Sequence, residues 1–311
     1  AGIFRAKGRP MDNPLIVHIS RLAQLPPLVS TTTPEAFAFA QAFWPGPLTM
    51  VLPGSGAVPN EVTAGLDTVA VRMPSHPVAL ALIEAAGIPV AAPSANVSGR
   101  PSPTTAAHVL SDLGGRIQMV VDGGPAGIGV ESTVVDMTSD PPLVLRPGGA
   151  TIEALRTVVP RIEVASDRGQ QACEPPRSPG MKYRHYAPKA DLWLFIGEHA
   201  WQVRVIGERV AAETAAGRRV GLLISAETAR ELKDRCAGSP AGAVSVVVGS
   251  REDLPGIASV LFDCMRQIDC ASVDVILAES YATTGMGLAV MNRLMRAAGG
   301  RIIQSLEPDR K

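Results

Sequence analysis

The sequence predicts a mixed α/β protein of two domains: a larger one on a single twisted mixed sheet, and a smaller one on a parallel, doubly wound sheet, joined by a linker. Three observations predict it. Short apolar, strand-like runs alternate with a few helical stretches from Pro14 to Arg146; apolar periodicity stops between Val164 and Lys189; and strands then alternate regularly with helices up to Ala298. The 311 residues, 46% hydrophobic and 19% charged, suffice for two real cores. The boundaries expected are 1–160, 161–190 for the linker, and 191–311.

The chain opens Ala1-Gly2-Ile3-Phe4-Arg5-Ala6-Lys7, without Met or a capping residue, which reads as the last turn of a helix already under way and as a truncated amino terminus. Strands are expected at Leu15 to Ile19, Leu48 to Leu52, Val69 to Met73, Val90 to Ala92, Met119 to Val121, Thr133 to Val135 and Leu143 to Leu145. Helices are expected at Pro34 to Phe43 and Pro77 to Ala86, where an early proline is tolerated, and at Thr104 to Leu113. Thr151 offers an N-cap to a short helix ending near Val158. The linker's second half, Ser178 to Lys189, packs basic groups, His185 and two tyrosines between prolines, and reads as a functional lid. Strands at Leu192, Val220, Val244 and Val273 then alternate with helices starting at Ala200, Ala226, Ile257 and Leu288. No GxGxxG follows the first of these strands, which argues against a dinucleotide site, and Gly285-Met286-Gly287 is a weak ligand motif.

Composition narrows the chemistry. Lys+Arg and Asp+Glu both number 29 and aromatics are 4%, so neither a whole-chain positive charge nor base-stacking platforms favour nucleic-acid binding. Cys173, Cys236, Cys264 and Cys270 form no CxxC pair, which suggests no zinc ribbon or disulfide framework and a reducing, cytoplasmic setting. No apolar run of about 18 residues and no signal peptide is visible, so no membrane is expected.

Two tripeptides stand out. Pro10 biases Arg9 toward extended backbone, so Lys7 and Arg9 in Lys7-Gly8-Arg9 should face one region and suit an anion, although a solvated basic turn is the plain alternative. Ser94 and Asn96 repeat the spacing after an apolar strand; they could equally bond their own backbone, but the hydroxyl-rich continuation to Thr104 favours a ligand. Ser132 among glycines and Arg146 at a strand end add a hydroxyl and a cation; a hairpin and turn would explain the glycines. His18 lies near the cations and could be ligand or packing, whereas His76 reads as packing or capping. No Ser-His-Asp or Cys-His pair is evident and no metal-ligand spacing appears. The set suits positioning and charge neutralisation on a phosphate substrate, as in nucleotidyl transfer.

Four motifs carry a resemblance. Lys7-Gly8-Arg9-Pro10 with Asn13-Pro14-Leu15, Ser94-Ala95-Asn96-Val97-Ser98-Gly99, Glu131-Ser132-Thr133-Val134-Val135-Asp136 and Leu145-Arg146-Pro147-Gly148 resemble the YrdC-type threonylcarbamoyl-AMP synthases. The string Ser178 to Lys189 and the tail resemble that family's longer branch. The resemblance implies a YrdC-like twisted mixed sheet domain, a smaller Rossmann-like parallel α/β domain, and an ordered linker. It implies condensation of L-threonine, bicarbonate and ATP into threonylcarbamoyl-adenylate and pyrophosphate, for threonylcarbamoyladenosine modification of tRNA. Mg2+ would accompany ATP, no structural metal would be held by the protein, stable nucleic-acid binding would not be required, and downstream tRNA-modification proteins are possible partners. Carried over by position, Lys7, Arg9, Ser94 and Asn96 form the catalytic quartet around threonine and phosphates, Ser132 and Arg146 match further nucleotide contacts, and Tyr183 lies in the linker that covers the pocket; His18 joins the binding candidates from its place near the cations alone. The family carries, upstream of Lys7, a strand and a Pro-Thr-x-Thr-x-Tyr-Gly-Leu loop, so weak or no activity is expected of the 311-residue chain, and robust product formation would refute that. A non-catalytic RNA-binding module and a carbamoyltransferase-type maturation factor are the alternatives.

Overall fold

The structure, a computed structural model, describes residues 1–165, 186–235 and 243–305. These divide into two compact units. One holds Ala1–Ser98, Thr105–Pro125 and 131–165; the other holds Gly99–Thr104, Ala126–Val130 and the described residues from 186 onward. The two short segments that join the second unit come from the middle of the first unit's sequence.

The first unit contains α1 (Gly2–Lys7), β1 (Ile16–His18), α2 (Pro34–Phe43), β2 (Leu48–Pro53), α3 (Asn60–Thr63), β3 (Thr68–Arg72), α4 (Pro77–Ala86), β4 (Val90–Ala92), α5 (Ala106–Leu113), β5 (Thr133–Asp136), β6 (Leu143–Arg146), α6 (Ile152–Val158) and β7 (Glu163–Val164). Its seven-stranded sheet runs β4-β1-β3-β2-β5-β6-β7. β1 lies parallel to β3 and β2 to β5, while β1–β4, β2–β3 and β5–β6 are antiparallel, so the sheet is mixed as expected. Thr33, Thr105 and Thr151 cap α2, α5 and α6 by accepting from backbone N–H groups three residues on. One face buries Ile16, Val51, Ala70, Val134 and Leu145 together.

Two expectations need correction. Met119 to Val121 is no strand: Met119 and Val121 are 77% and 58% exposed in an irregular, glycine-flanked loop, because a three-residue apolar run without a neighbouring strand has nothing to pair with. And β7, at the beginning of the stretch assigned to the linker, adds a seventh strand beside β6.

The second unit holds β8 (Asp191–Ile196), α7 (His199–Ala215), β9 (Val220–Ile224), α8 (Ala226–Arg235), β10 (Ala243–Val247), α9 (Leu254–Cys270), β11 (Val275–Glu279), α10 (Met286–Ala298) and β12 (Ile302–Gln304). All its pairings are parallel, in the order β10-β9-β11-β8-β12. Alternate strand residues feed two cores. Leu222 and Leu277 pack with Val203 and Ile206 of α7, while Leu223 and Ile276 pack with Leu261 of α9 and Leu294 of α10. Helices therefore cover both faces, as a parallel sheet requires. No helix among the described residues is long and apolar enough to cross a membrane.

Candidate active site

The first group of candidate residues forms where α1 ends. Gly8 takes the left-handed conformation (φ 62°, ψ 33°), and its N–H and that of Arg9 return to the carbonyls of Arg5 and Phe4. Lys7 is thus the last helical residue, and the extended Lys7-Gly8-Arg9 segment anticipated from Pro10 does not form; a helix terminus and a left-handed glycine bring the two cations together instead. Lys7 is only 4% exposed. Its Nζ donates to the Ser94 carbonyl (2.5 Å), the Asn96 carbonyl and Asn96 Oδ1 (3.3 Å). Ser94 Oγ also donates to Asn96 Oδ1 (2.6 Å), and Asn96 Nδ2 donates to the Val97 carbonyl (2.9 Å), which fixes the amide's orientation. Ser98 N–H closes the arrangement on the Lys7 carbonyl (2.9 Å).

Arg9, also buried, is held by Asn13 and Pro14. Its Nη2 donates to Asn13 Oδ1 (2.7 Å) and the Pro14 carbonyl (2.8 Å), and its Nε to the Asn13 carbonyl (3.2 Å). Burial, and after it the Arg9 charge, lower the Lys7 ammonium from its ordinary 10.5 to about 7; buried Asp112 on α5 pulls the other way.

The second group is a polar row across the sheet. His18 pairs with Arg72, Arg72 with Thr49, Thr49 with Val134, and Val134 with Arg146, and residues paired across strands share a face. The β5–β6 register slips between Val134 and Val135, leaving Leu145 as the extra residue of a bulge, and this lets Leu145 reach the core while Arg146 stays on the polar row. Arg146 donates from Nε (3.2 Å) and Nη2 (3.0 Å) to the Ser132 carbonyl and from Nη2 to Ser132 Oγ (3.3 Å). Ser132 Oγ also meets Thr49 Oγ1 at 2.7 Å.

Arg72 was not singled out from the sequence. Its Nε donates to the Gly46 carbonyl (3.0 Å), and burial together with the Arg146 charge lowers it to about 10. The available signal was an arginine closing the apolar strand Val69-Ala70-Val71. Burial, and then the Arg72 charge, hold His18 near 4, so its imidazole is neutral at physiological pH. Its Nδ1 is buried without a well-formed hydrogen bond, the carbonyls of Val90 and Ile16 acting as weak acceptors.

The two groups flank β1. Arg9 holds Pro14 before the strand and His18 ends it, a spacing of roughly 13 Å at about 3.3 Å per residue. His76 lies apart, its Nε2 on the Gly123 carbonyl at 3.2 Å. Tyr183 and the string Ser178 to His185 lie outside the described residues. Among the described residues no group of three or more His, Cys, Asp or Glu side chains is placed to hold a metal ion. The site offers cations, hydroxyls, an oriented amide and a neutral imidazole, groups suited to recognition of anions.

Residues 1–148 match the Sua5, YciO and YrdC family model, described as telomere recombination, and residues 150–299 match the C-terminal domain of threonylcarbamoyl-AMP synthase. The chain is 49% identical over 303 residues to the threonylcarbamoyl-AMP synthase of Bacillus subtilis, spanning 97% of this chain and 84% of the relative. To that of Pyrococcus abyssi it is 46% identical over 302 residues, spanning 97% and 85%. The crystal structure of P. abyssi Sua5 complexed with L-threonine superposes with a TM-score of 0.89 at 47% identity, over 97% of this chain and 85% of that one. The chain belongs to the threonylcarbamoyl-AMP synthase family, in its two-domain Sua5 form.

Proposed function

We infer that this protein is a nucleotidyltransferase that makes threonylcarbamoyl-AMP and pyrophosphate from L-threonine, bicarbonate and ATP. Atom balance fixes the outline. The threonine amine takes up bicarbonate with loss of water, an oxygen of the resulting carbamate attacks the α-phosphorus of ATP, and the bond from that phosphorus to the bridging oxygen breaks to release pyrophosphate.

The observation that carries the site assignment is the crowding of buried positive charge. Burial first, and then the neighbouring charge of Arg9 or Arg146, lowers the basicity of Lys7 and Arg72. Bound phosphates and carboxylates would reverse that repulsion, and negative charge building on the α-phosphate and leaving pyrophosphate would be held by groups already in place. In this reading Lys7 and Arg9, with Ser94 and Asn96, serve one end of the substrate set, and Ser132, Arg146, Arg72 and His18 the other. Tyr183, in the stretch proposed as a lid, is assigned by resemblance alone. Mg2+ would enter with the ATP phosphates. Cytoplasmic tRNA-modification proteins that consume a labile adenylate are the expected partners.

The test is incubation with ATP, L-threonine and labelled bicarbonate, with ATP affinity measured in parallel by calorimetry. Lys7→Ala and Asn96→Ala should each lower product formation by about 100-fold and weaken ATP or threonine binding. Wild-type turnover and affinity in both variants would refute the site.

A further inference from the structure

One face of α9 grips three separate stretches of chain. Arg266, buried on α9, donates from Nη2 to the Pro101 carbonyl at 2.5 Å, holding segment 99–104. Gly129 (φ +77°) packs segment 126–130 on the same helix: a Cβ there would come within 2.4 Å of the Ala258 carbonyl oxygen and Ser259 Cα, so this approach needs glycine for both its space and its backbone. Phe262, one turn before Arg266, lies 5.2 Å from the Tyr186 ring, over whose face Arg293 of α10 sits at 5.4 Å. Asp269, three residues after Arg266, accepts the Lys189 N–H at 2.8 Å.

The stretches also tie to one another. Ala187 N–H donates to the Gly99 carbonyl (2.9 Å), Ala126 N–H donates to the Thr104 carbonyl (2.9 Å), and Val130 joins Tyr186 and Phe262 in one core. Ser259, Phe262, Arg266 and Asp269 recur at helical spacing, so a single stripe of α9 carries the grip.

The chain's connectivity gives this clamp its consequence. Gly99 follows Asn96 by three residues, and Val130 precedes Ser132 by two. The segments held by α9 are therefore continuous with the loops that present the oriented Asn96 amide and the Ser132 hydroxyl.

We propose that Arg266 is a positioning residue: through the Pro101 carbonyl it fixes segment 99–104, and through that segment the loop carrying Ser94 and Asn96, with which it is continuous in the chain. The inference rests on the function proposed above. A loop misplaced by about 1 Å is enough to cost an order of magnitude or more in a site that works by positioning.

Calorimetric titration of ATP and of L-threonine into the wild type, Arg266→Ala and Arg266→Lys, with thermal unfolding of each, tests it. Arg266→Ala should bind one or both ligands roughly 10-fold more weakly while unfolding in a single cooperative transition. Arg266→Lys, which can still donate to one carbonyl, should recover most of the loss. Wild-type affinities in Arg266→Ala, with only a lowered midpoint, would show a purely structural arginine and overturn the proposal. If Arg266→Ala does not fold, Arg266→Lys and Arg266→Gln are read by the same rule, an affinity graded with donor capacity supporting the proposal and an unchanged affinity overturning it. A wild type that binds neither ligand would instead overturn the functional reading, and with it this inference.

Discussion

The two sheets gather polar side chains at their strand ends in opposite ways. In the first unit, Lys7 with Arg9 and Arg72 with Arg146 place like charges close together under burial, and the cost shows as ammonium and guanidinium groups held below their ordinary ranges. In the second, β9 and β11 are neighbours whose helices lead to strands on opposite sides, the point where an open α/β sheet commonly binds a ligand. There a fully buried carboxylate, Glu279, is met by Ser225 N–H, Thr228 Oγ1 (2.8 Å), Arg251 Nη1 and the Tyr281 hydroxyl (3.4 Å). Arg251 N–H and Ser250 Oγ in turn donate to Glu227, and Gln202 exchanges hydrogen bonds with Ser280. The second network sets a cation directly on its buried carboxylate; the first sets like charges side by side, with buried Asp112 offsetting part of the repulsion at Lys7. Charge that repels itself marks where an outside anion lowers the energy, and charge that is neutralised in place marks structure.

The comparison should break first at Arg251. Arg251→Ala leaves the Glu279 carboxylate buried without its cation and should cost about 3–5 kcal/mol in urea unfolding, while the fraction that folds keeps its ATP affinity. Next, Arg146→Ala should lower turnover by about 100-fold and change unfolding stability far less than Arg251→Ala does; a stability loss as large as the Arg251 variant's would make the cations structural. Arg72→Met should weaken substrate binding by about 10-fold and raise the basicity of His18, measurable by NMR titration as a move up from about 4. A His18 that titrates as before would show that Arg72 does not face it.

The smallest effect concerns stability without ligand. Because folding lowers Lys7 from 10.5 to about 7, the unfolded chain binds more protons between those values, and this group's contribution to stability rises with pH across that window. Lys7→Met should therefore gain stability relative to wild type at pH 6, and that relative gain should shrink by pH 10.

Much of the fold was legible because its strands are apolar runs with clear ends. Val220 to Ile224 and Val273 to Ala278, the second of which begins two residues later in the structure, sit between periodic helices, and early prolines and threonine caps marked α2, α4 and α6. Met119 to Val121 misled because three apolar residues carry no period. In the site, Lys7, Arg9, Ser94 and Asn96 were found from spacing, but for Lys7 and Arg9 the reason was wrong, since the cations meet through a left-handed glycine and not along a strand. Arg72 was hidden because its partners lie on strands far away in sequence, and pairing register is not written locally. The adherence of segments 99–104 and 126–130 to α9 was hidden for the same reason, apart from the glycine at 129.

The most direct measurement of the central claim is the proton balance of ATP binding, by calorimetry at pH 8 in buffers of different ionisation enthalpy. If the phosphates relieve the buried cations, binding must restore the Lys7 charge, and the wild type should take up most of a proton per ATP, an uptake lost in Lys7→Met. ATP binding with no uptake, or with the same uptake in the variant, would contradict the account.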